Sequence, residues 1–219
     1  MEEKQMMNRI PLIGDTAPDF KAKTTEGWVT LSDYCKDSWV VLFSHPADFT
    51  PVCSTEMTGF AKRKDEFTAL NTKLLGLSID SIFSHIGWVE NLKSTMGVEI
   101  NFPIIADINM AVAQLYGMIH PGEVSVATVR TVFFIDPQQK VRLIMYYPLN
   151  VGRNMDEILR CLKALQLTDA ETLATPLDWQ PGCDALQHAP EDMEGVEALY
   201  AEKKEKMKDW YITFAETKK

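Results

Sequence analysis

Apolar positions along the chain gather into five short runs rich in β-branched and aromatic residues. They are WVVLFSH (39–45), KLLGLSI (73–79), FPIIAD (102–107), TVRTVFFID (128–136) and VRLIMYYP (141–148). The first, second and fourth are nearly continuous in apolar residues, the pattern of strands covered on both faces. Helical spacing fills most of the gaps, over 56–70, 85–96 and 110–116, and returns over 155–165 after the last run. Only Pro137, Gln138, Gln139 and Lys140 separate the fourth and fifth runs, a length that demands an antiparallel hairpin. Alternating β and α with one terminal hairpin predicts an α/β fold, a mixed central sheet flanked by helices.

Beyond Leu167 the texture changes. TPLDWQPG (175–182) has loop composition, and 190–210 then predicts one helix. Its apolar stripe is Met193, Val196, Leu199, Tyr200, Met207 and Trp210, interrupted by Lys203. A narrow stripe in a charged helix docks on its own domain or on a second subunit. The pattern divides the chain into a main domain over 8–170 and a C-terminal extension over 171–219.

Composition narrows the function classes. Of 219 residues 46% are hydrophobic, enough for one domain of ordinary size with an appendage. The net charge of −9, with no basic stripe, argues against nucleic acid as a partner. The N-terminal MEEKQMMNRI lacks the apolar run of a signal peptide, and no window approaches a membrane span. Four widely spaced cysteines, Cys35, Cys53, Cys161 and Cys183, form no CxxC. The expectation is a cytoplasmic protein with reduced thiols and no membrane partner.

Chemistry concentrates in SHPADFTPVCSTE, Ser44 to Glu56. The strand 39–45 ends at His45, and a helix is predicted to start near Thr50, with Thr50 as N-cap and Pro51 in the first helical position. Cys53 then falls in the first turn, where unpaired N–H groups and the helix dipole favour a thiolate. The position also lies beyond the carboxyl end of a central strand, where open α/β sheets carry their ligands. The pattern alone leaves two readings open: a small buried hydrophobe or a nucleophile.

PADFTPVC carries Pro-x-x-x-Thr-x-x-Cys and thereby resembles the active-site motif of peroxiredoxins. The wider string LFSHPADFTPVCSTE is similar to their one-cysteine subfamily, type six. The likeness continues through DSIFSHIGWVENL (80–92), FPIIAD, ATVRTVFFIDP (127–137), YYPLNVGRNMDEILR (146–160) and TPLDW (175–179). The resemblance implies a thioredoxin-like fold in the main domain and thiol-dependent reduction of hydrogen peroxide and organic hydroperoxides, an antioxidant activity without metal, flavin or haem cofactor. It implies Cys53 as the peroxide-reactive thiolate and Arg130 as its pairing cation, able to bond both sulfur and peroxide. It also implies Thr50 as a ligand for the peroxide O–O–H end, Pro46 as a shield that narrows the pocket, and His45 and Arg153 as further substrate-binding groups.

Each residue also has a plainer reading. Arg130 fits a structural ion pair, His45 a strand-end hydrogen bond, and Arg153 a turn cap. Glu56, one turn from Cys53, fits a network partner for an arginine, and His85 and Trp88 fit core packing. Cys161 falls on an apolar helical face and Cys35 has no activating neighbour, so both read as structural. Cys183, in a loop, is the candidate resolving thiol. The Trp-rich end DWYITFAETKK, where some relatives carry a resolving cysteine, has none, which favours a one-cysteine cycle recharged by an external thiol reductant, thioredoxin-like or small. Some relatives also carry a GDSWG serine elbow. Here KDSWV (36–40) replaces both glycines with Lys36 and Val40, the histidine position is Ser32 and the acid aligns near Gln138, which argues against a lipase. Relatives imply a homodimer, and possible stacking into a homodecamer. The alternatives are a non-enzymatic oligomeric holdase or scaffold, and a cysteine hydrolase with His45 as base.

Overall fold

The computed structural model describes residues 9–202 and 205–217. Residue 8, the rest of the N-terminal segment and Lys203, all part of the readings above, lie outside the described residues. The first two strands are ones the run pattern did not predict: β1 (Lys21–Thr24) and β2 (Gly27–Thr30), a hairpin. At four residues each they are too short to show as runs, and KAKT simply alternates exposed and buried. Gly27 closes the turn at φ +105°, a conformation open mainly to glycine.

The chain continues through α1 (Leu31–Cys35), β3 (Trp39–Ser44), α2 (Pro51–Lys62), α3 (Lys64–Ala69), β4 (Thr72–Ser78), α4 (Ile82–Met96), β5 (Ile104–Ala106), α5 (Ala111–Leu115), β6 (Arg130–Ile135) and β7 (Val141–Tyr147). All five apolar runs therefore form strands, four trimmed at their ends and the second shifted by one residue to Thr72–Ser78. The helical spacing over 56–70 belongs to a helix that starts at Pro51, as its N-terminal signals predict, and breaks at Arg63 into α2 and α3. The strand order is β2-β1-β5-β4-β3-β6-β7. Strands β5, β4 and β3 run parallel, and β3–β6 and β6–β7 pair antiparallel, the latter as the predicted hairpin.

Every residue of β3 and β6 is buried, so both faces of the central sheet are covered. Successive side chains point to opposite faces. Val40 and Leu42 join Leu75, Leu77, Phe133, Ile135 and Tyr116 in one core. Phe43 stacks instead on Phe60 of α2, with ring centroids 3.9 Å apart. Each such side chain contributes about 1.5–3 kcal/mol through burial. The end of β3 and the start of α2 are thus anchored by packing, and the segment joining them is held at both ends.

Contacts divide the chain into two compact units, Met1–Met155 and Asp156–Lys219. The division falls at 155/156, one residue into α6 (Met155–Glu171), the extended form of the helix predicted over 155–165. The second unit adds β8 (Leu173–Ala174), β9 (Ala185–Gln187), α7 (Met193–Glu202), β10 (Met207–Asp209) and β11 (Ile212–Ala215), in a four-stranded sheet ordered β10-β11-β9-β8. The single helix predicted over 190–210 is therefore corrected: it ends by Glu202, and a hairpin follows with Trp210 and Tyr211 at its tip. Met207 and Trp210 are three residues apart, which fits helical spacing. The β-rich segment YITF that follows decides the outcome. Among the described residues no helix is long and apolar enough to cross a membrane.

Candidate active site

The turn between β3 and α2 is fastened to the sheet by side chains. Ser44 Oγ lies 2.6 Å from the Val129 carbonyl and 2.8 Å from Thr131 Oγ1, and the Thr128 hydroxyl donates to the His45 carbonyl at 2.7 Å. Thr50 occupies the N-cap position with extended backbone (φ −106°, ψ 150°), and Pro51 opens the helix as predicted. The Thr50 hydroxyl does not cap the helix; it donates to the Ala47 carbonyl at 2.9 Å. The positive field of the first-turn N–H groups is left for the sulfur. Phe49 sits at φ +55°, the left-handed region, which costs about 1 kcal/mol or more for such a residue, and its ring is exposed. The packing at both ends of the turn sustains that strain.

Cys53 follows in the first turn of α2, fully buried. Arg130 Nη1 donates to its sulfur at 3.3 Å and to Glu56 Oε2 at 2.8 Å. The Leu149 carbonyl accepts from Nε and Nη2 of Arg130, at 2.9 and 2.7 Å, and so aims the guanidinium. Glu56 is also gripped by Arg153, through its backbone N (2.8 Å), Nε (3.0 Å) and Nη2 (2.7 Å). Arg153 Nη1 donates to the Ser44 and Thr131 carbonyls, and its guanidinium lies over Phe43 and Phe60. Burial opposes the charge on Glu56, but Arg153, by charge and hydrogen bonds, and then Arg130 hold its carboxyl below the usual carboxylate range. The result is a buried carboxylate that bridges two cations, one of which keeps a donor on the thiol.

A second cluster braces the turn from behind. Asp48 accepts from the His45 Nε2 side and the His85 Nδ1 side, each at 2.8 Å, and its backbone N–H donates to Asp80 at 3.1 Å. Burial works against the Asp48 charge, yet the bonds to the two imidazoles hold its carboxyl well below the usual range. Burial lowers the basicity of His45. Three potential ligand atoms lie within 4.8 Å of one another here. The 2.8 Å contacts are hydrogen-bond lengths with a proton between the atoms, so the group is a hydrogen-bonded cluster.

The predicted residues thus separate by role. Cys53 and Arg130 are in direct contact, and Glu56 is the arginine partner the spacing indicated. Pro46 and Thr50 stand half-buried in the turn. Arg153 contacts Glu56 and backbone carbonyls, and His45 contacts Asp48. Cys183 lies in the second unit, exposed, in a turn closed by its N–H on the Gln180 carbonyl at 3.0 Å. Sequence reasoning missed Asp48, Asp80 and the Leu149 carbonyl, and it read His85 as packing alone. The signal for Asp48 was local: an acid three residues after His45, inside a rigid turn.

The AhpC/TSA family profile matches residues 13–144, which include every residue named above around the thiol except Leu149 and Arg153. A peroxiredoxin of Methanosarcina mazei is 48% identical over 211 residues, 93% of this chain and 96% of that protein. A yeast mitochondrial 1-Cys peroxiredoxin, solved for its thiol resolving mechanism via glutathione/thioredoxin systems, superposes with a TM-score of 0.84 at 44% identity, over 95% of this chain and 100% of that one. A cysteine-to-serine mutant of peroxiredoxin 6 of Arenicola marina superposes with a TM-score of 0.83 at 35% identity, over 95% and 99%.

Proposed function

We propose that this chain, which belongs to the AhpC/TSA family and is a peroxiredoxin, a thiol-dependent peroxidase, reacts with hydroperoxides through Cys53. The observation that carries the assignment is the 3.3 Å contact from Arg130 Nη1 to the Cys53 sulfur. The thiolate attacks the terminal peroxide oxygen and the O–O bond breaks. Sulfur gives up two electrons and becomes a sulfenic acid, and the other oxygen leaves as an anion that takes up a proton. Arg130 stabilises the thiolate and then the charge growing on the leaving oxygen. The proton of the Thr50 hydroxyl is occupied by Ala47, so its oxygen accepts from the peroxide O–H. Pro46 narrows the approach. The contacts of Arg153 support a positioning role, through Glu56, over direct substrate binding. The ring nitrogen of His45 that Asp48 does not occupy is buried without a partner among the described residues, which suits an acceptor for the oxidised product or the substrate.

Two equivalents of an external thiol then return the sulfenic acid to thiol, releasing water and a disulfide. A thioredoxin-like or small thiol reductant fits, in line with the systems named for the yeast relative. Among the described residues no arginine donates to the Cys183 sulfur as Arg130 does to that of Cys53, and a one-cysteine cycle is the reading favoured. Four free thiols suit a cytoplasmic setting. Exposed Met193 and Tyr200 on α7 suit a homodimer, stacked or not into a homodecamer. One equivalent of hydrogen peroxide with dimedone tests the cycle: peptide mass mapping should find the adduct on Cys53 alone. Excess peroxide should carry the same residue to sulfinic acid. A disulfide formed stoichiometrically and lost in Cys183→Ser would overturn the one-cysteine cycle.

A further inference from the structure

Four elements converge on one buried carboxylate beside the thiol-bearing turn. Asp48 and His45 come from the turn after β3, Asp80 from the turn after β4, His85 from α4 and the Ile105 carbonyl from β5. The side chains of Asp48, His45 and His85 are closed to solvent. His45 Nε2 and His85 Nδ1 each lie 2.8 Å from a different oxygen of Asp48, and His85 Nε2 lies 3.1 Å from the Ile105 carbonyl.

Counting protons assigns the charges. A carbonyl only accepts, so His85 Nε2 carries a proton. A carboxylate only accepts, so His85 Nδ1 carries another, and the ring is a cation. His45 meets an acceptor only at Nε2; its Nδ1 is buried without a partner among the described residues. A buried carboxylate calls for one counter-charge, and His85 supplies it. Asp80, the other acid facing the cluster, is engaged by the Asp48 N–H and the Ser78 hydroxyl at 2.6 Å and favours a charged ring. Burial of His45, reinforced by the charge of His85, outweighs both acids and lowers the basicity of the His45 ring.

We infer that His85 is a positioning residue for the peroxidase reaction: it carries the single positive charge of the cluster and thereby leaves His45 Nδ1 as a bare acceptor, buried in the turn that leads to Cys53. The inference rests on the reading of Cys53 as the reactive thiol. The donor that His45 Nδ1 takes is a hydroxyl, either of the hydroperoxide or of the sulfenic acid formed from it. Without His85, Asp48 draws its counter-charge from His45, which gains a proton on Nδ1 and stops accepting.

The test begins with the full chain, labelled with nitrogen-15 at histidine and free of peroxide. NMR should show one ring with both nitrogens protonated, lost in His85→Gln, and one ring with a bare Nδ1, lost in His45→Asn. In His85→Gln the oxidation rate with hydrogen peroxide should fall about tenfold at pH 6 and recover as rising pH removes the proton from His45, a step the parent protein lacks. Adding Asp48→Asn removes the charge to be balanced and should erase that step. A protonated Nδ1 on His45 in the parent protein would overturn the inference, as would a pH-independent loss in His85→Gln that Asp48→Asn leaves unchanged. The NMR arm stands without turnover, so peroxide consumption by Cys53→Ser would sink the thiol assignment and leave the charge placement intact.

Discussion

Cys53 and Cys161 each keep company with one arginine and one glutamate, yet the two trios have opposite chemistry. At Cys53 the sulfur accepts from Arg130, and Glu56 is saturated by four donors from two arginines. Nothing on that carboxylate is left to take the thiol proton. At Cys161 the thiol itself donates to Glu157 Oε1 at 3.2 Å, with Arg160 Nη2 at 3.4 Å from the sulfur. Burial, reinforced by Glu157, pushes the Cys161 thiol up to about 12. Helix position separates them further: Cys53 lies in the first turn of α2, Cys161 in the interior of α6. The same three residue types leave one sulfur as an acceptor and make the other a donor, depending on who satisfies the carboxylate.

The largest test of this contrast removes each sulfur in turn. Cys53→Ser should abolish peroxide consumption in a stopped-flow assay, whereas Cys161→Ser should leave it largely intact. Turnover surviving in the first variant would end the comparison.

Next in size is the carboxylate. Glu56→Gln leaves two buried arginines short of their shared partner and should cost about 3–5 kcal/mol in urea unfolding at pH 7. Glu157→Gln breaks a pair that is partly exposed and should cost about 0–1 kcal/mol. Acid sharpens the difference. The folded-state carboxyl of Glu56 titrates below its ordinary value of 4.5, so its stabilisation is present above that pH and fades as pH falls through the folded value. The gap between parent and Glu56→Gln should therefore shrink between pH 5 and strongly acid solution.

A third test exchanges the cations. Arg130→Met should slow oxidation by roughly tenfold or more, the worth of a charge-assisted bond to sulfur and peroxide. Arg160→Met should not alter that rate. Smallest is the effect on the protected thiol. Glu157→Gln removes the negative charge from the acceptor of the Cys161 proton, so alkylation of native protein at pH 9 should quicken by about threefold, limited by the burial that remains.

Much of the fold could be read from runs and spacing, because those patterns are local. The five strands, the antiparallel hairpin across residues 137–140 and the start of a helix at Pro51 all leave traces within a few neighbouring residues. Elements with weak local signals escaped: the four-residue strands β1 and β2, and the strands over 207–215, where an apolar spacing of three suited two periods at once. The place of Cys53 in the first helical turn was legible for the same reason, since turn, proline and first helical position are set within eight residues. Its partners were not set by periodicity. Arg130 lies 77 residues from Cys53, Arg153 lies 97 from Glu56, and His85 lies 37 from Asp48. The motif resemblance pointed to Arg130 as the cation on sulfur and to Arg153 as a substrate group, but not to the donors that Arg153 spends on Glu56 and on two backbone carbonyls. Those contacts, and the pairing of Asp48 with two imidazoles, depend on donors and acceptors brought together from elements far apart in the chain. Hydrogen-bond saturation is a property of three-dimensional neighbours, and only the folded chain supplies them.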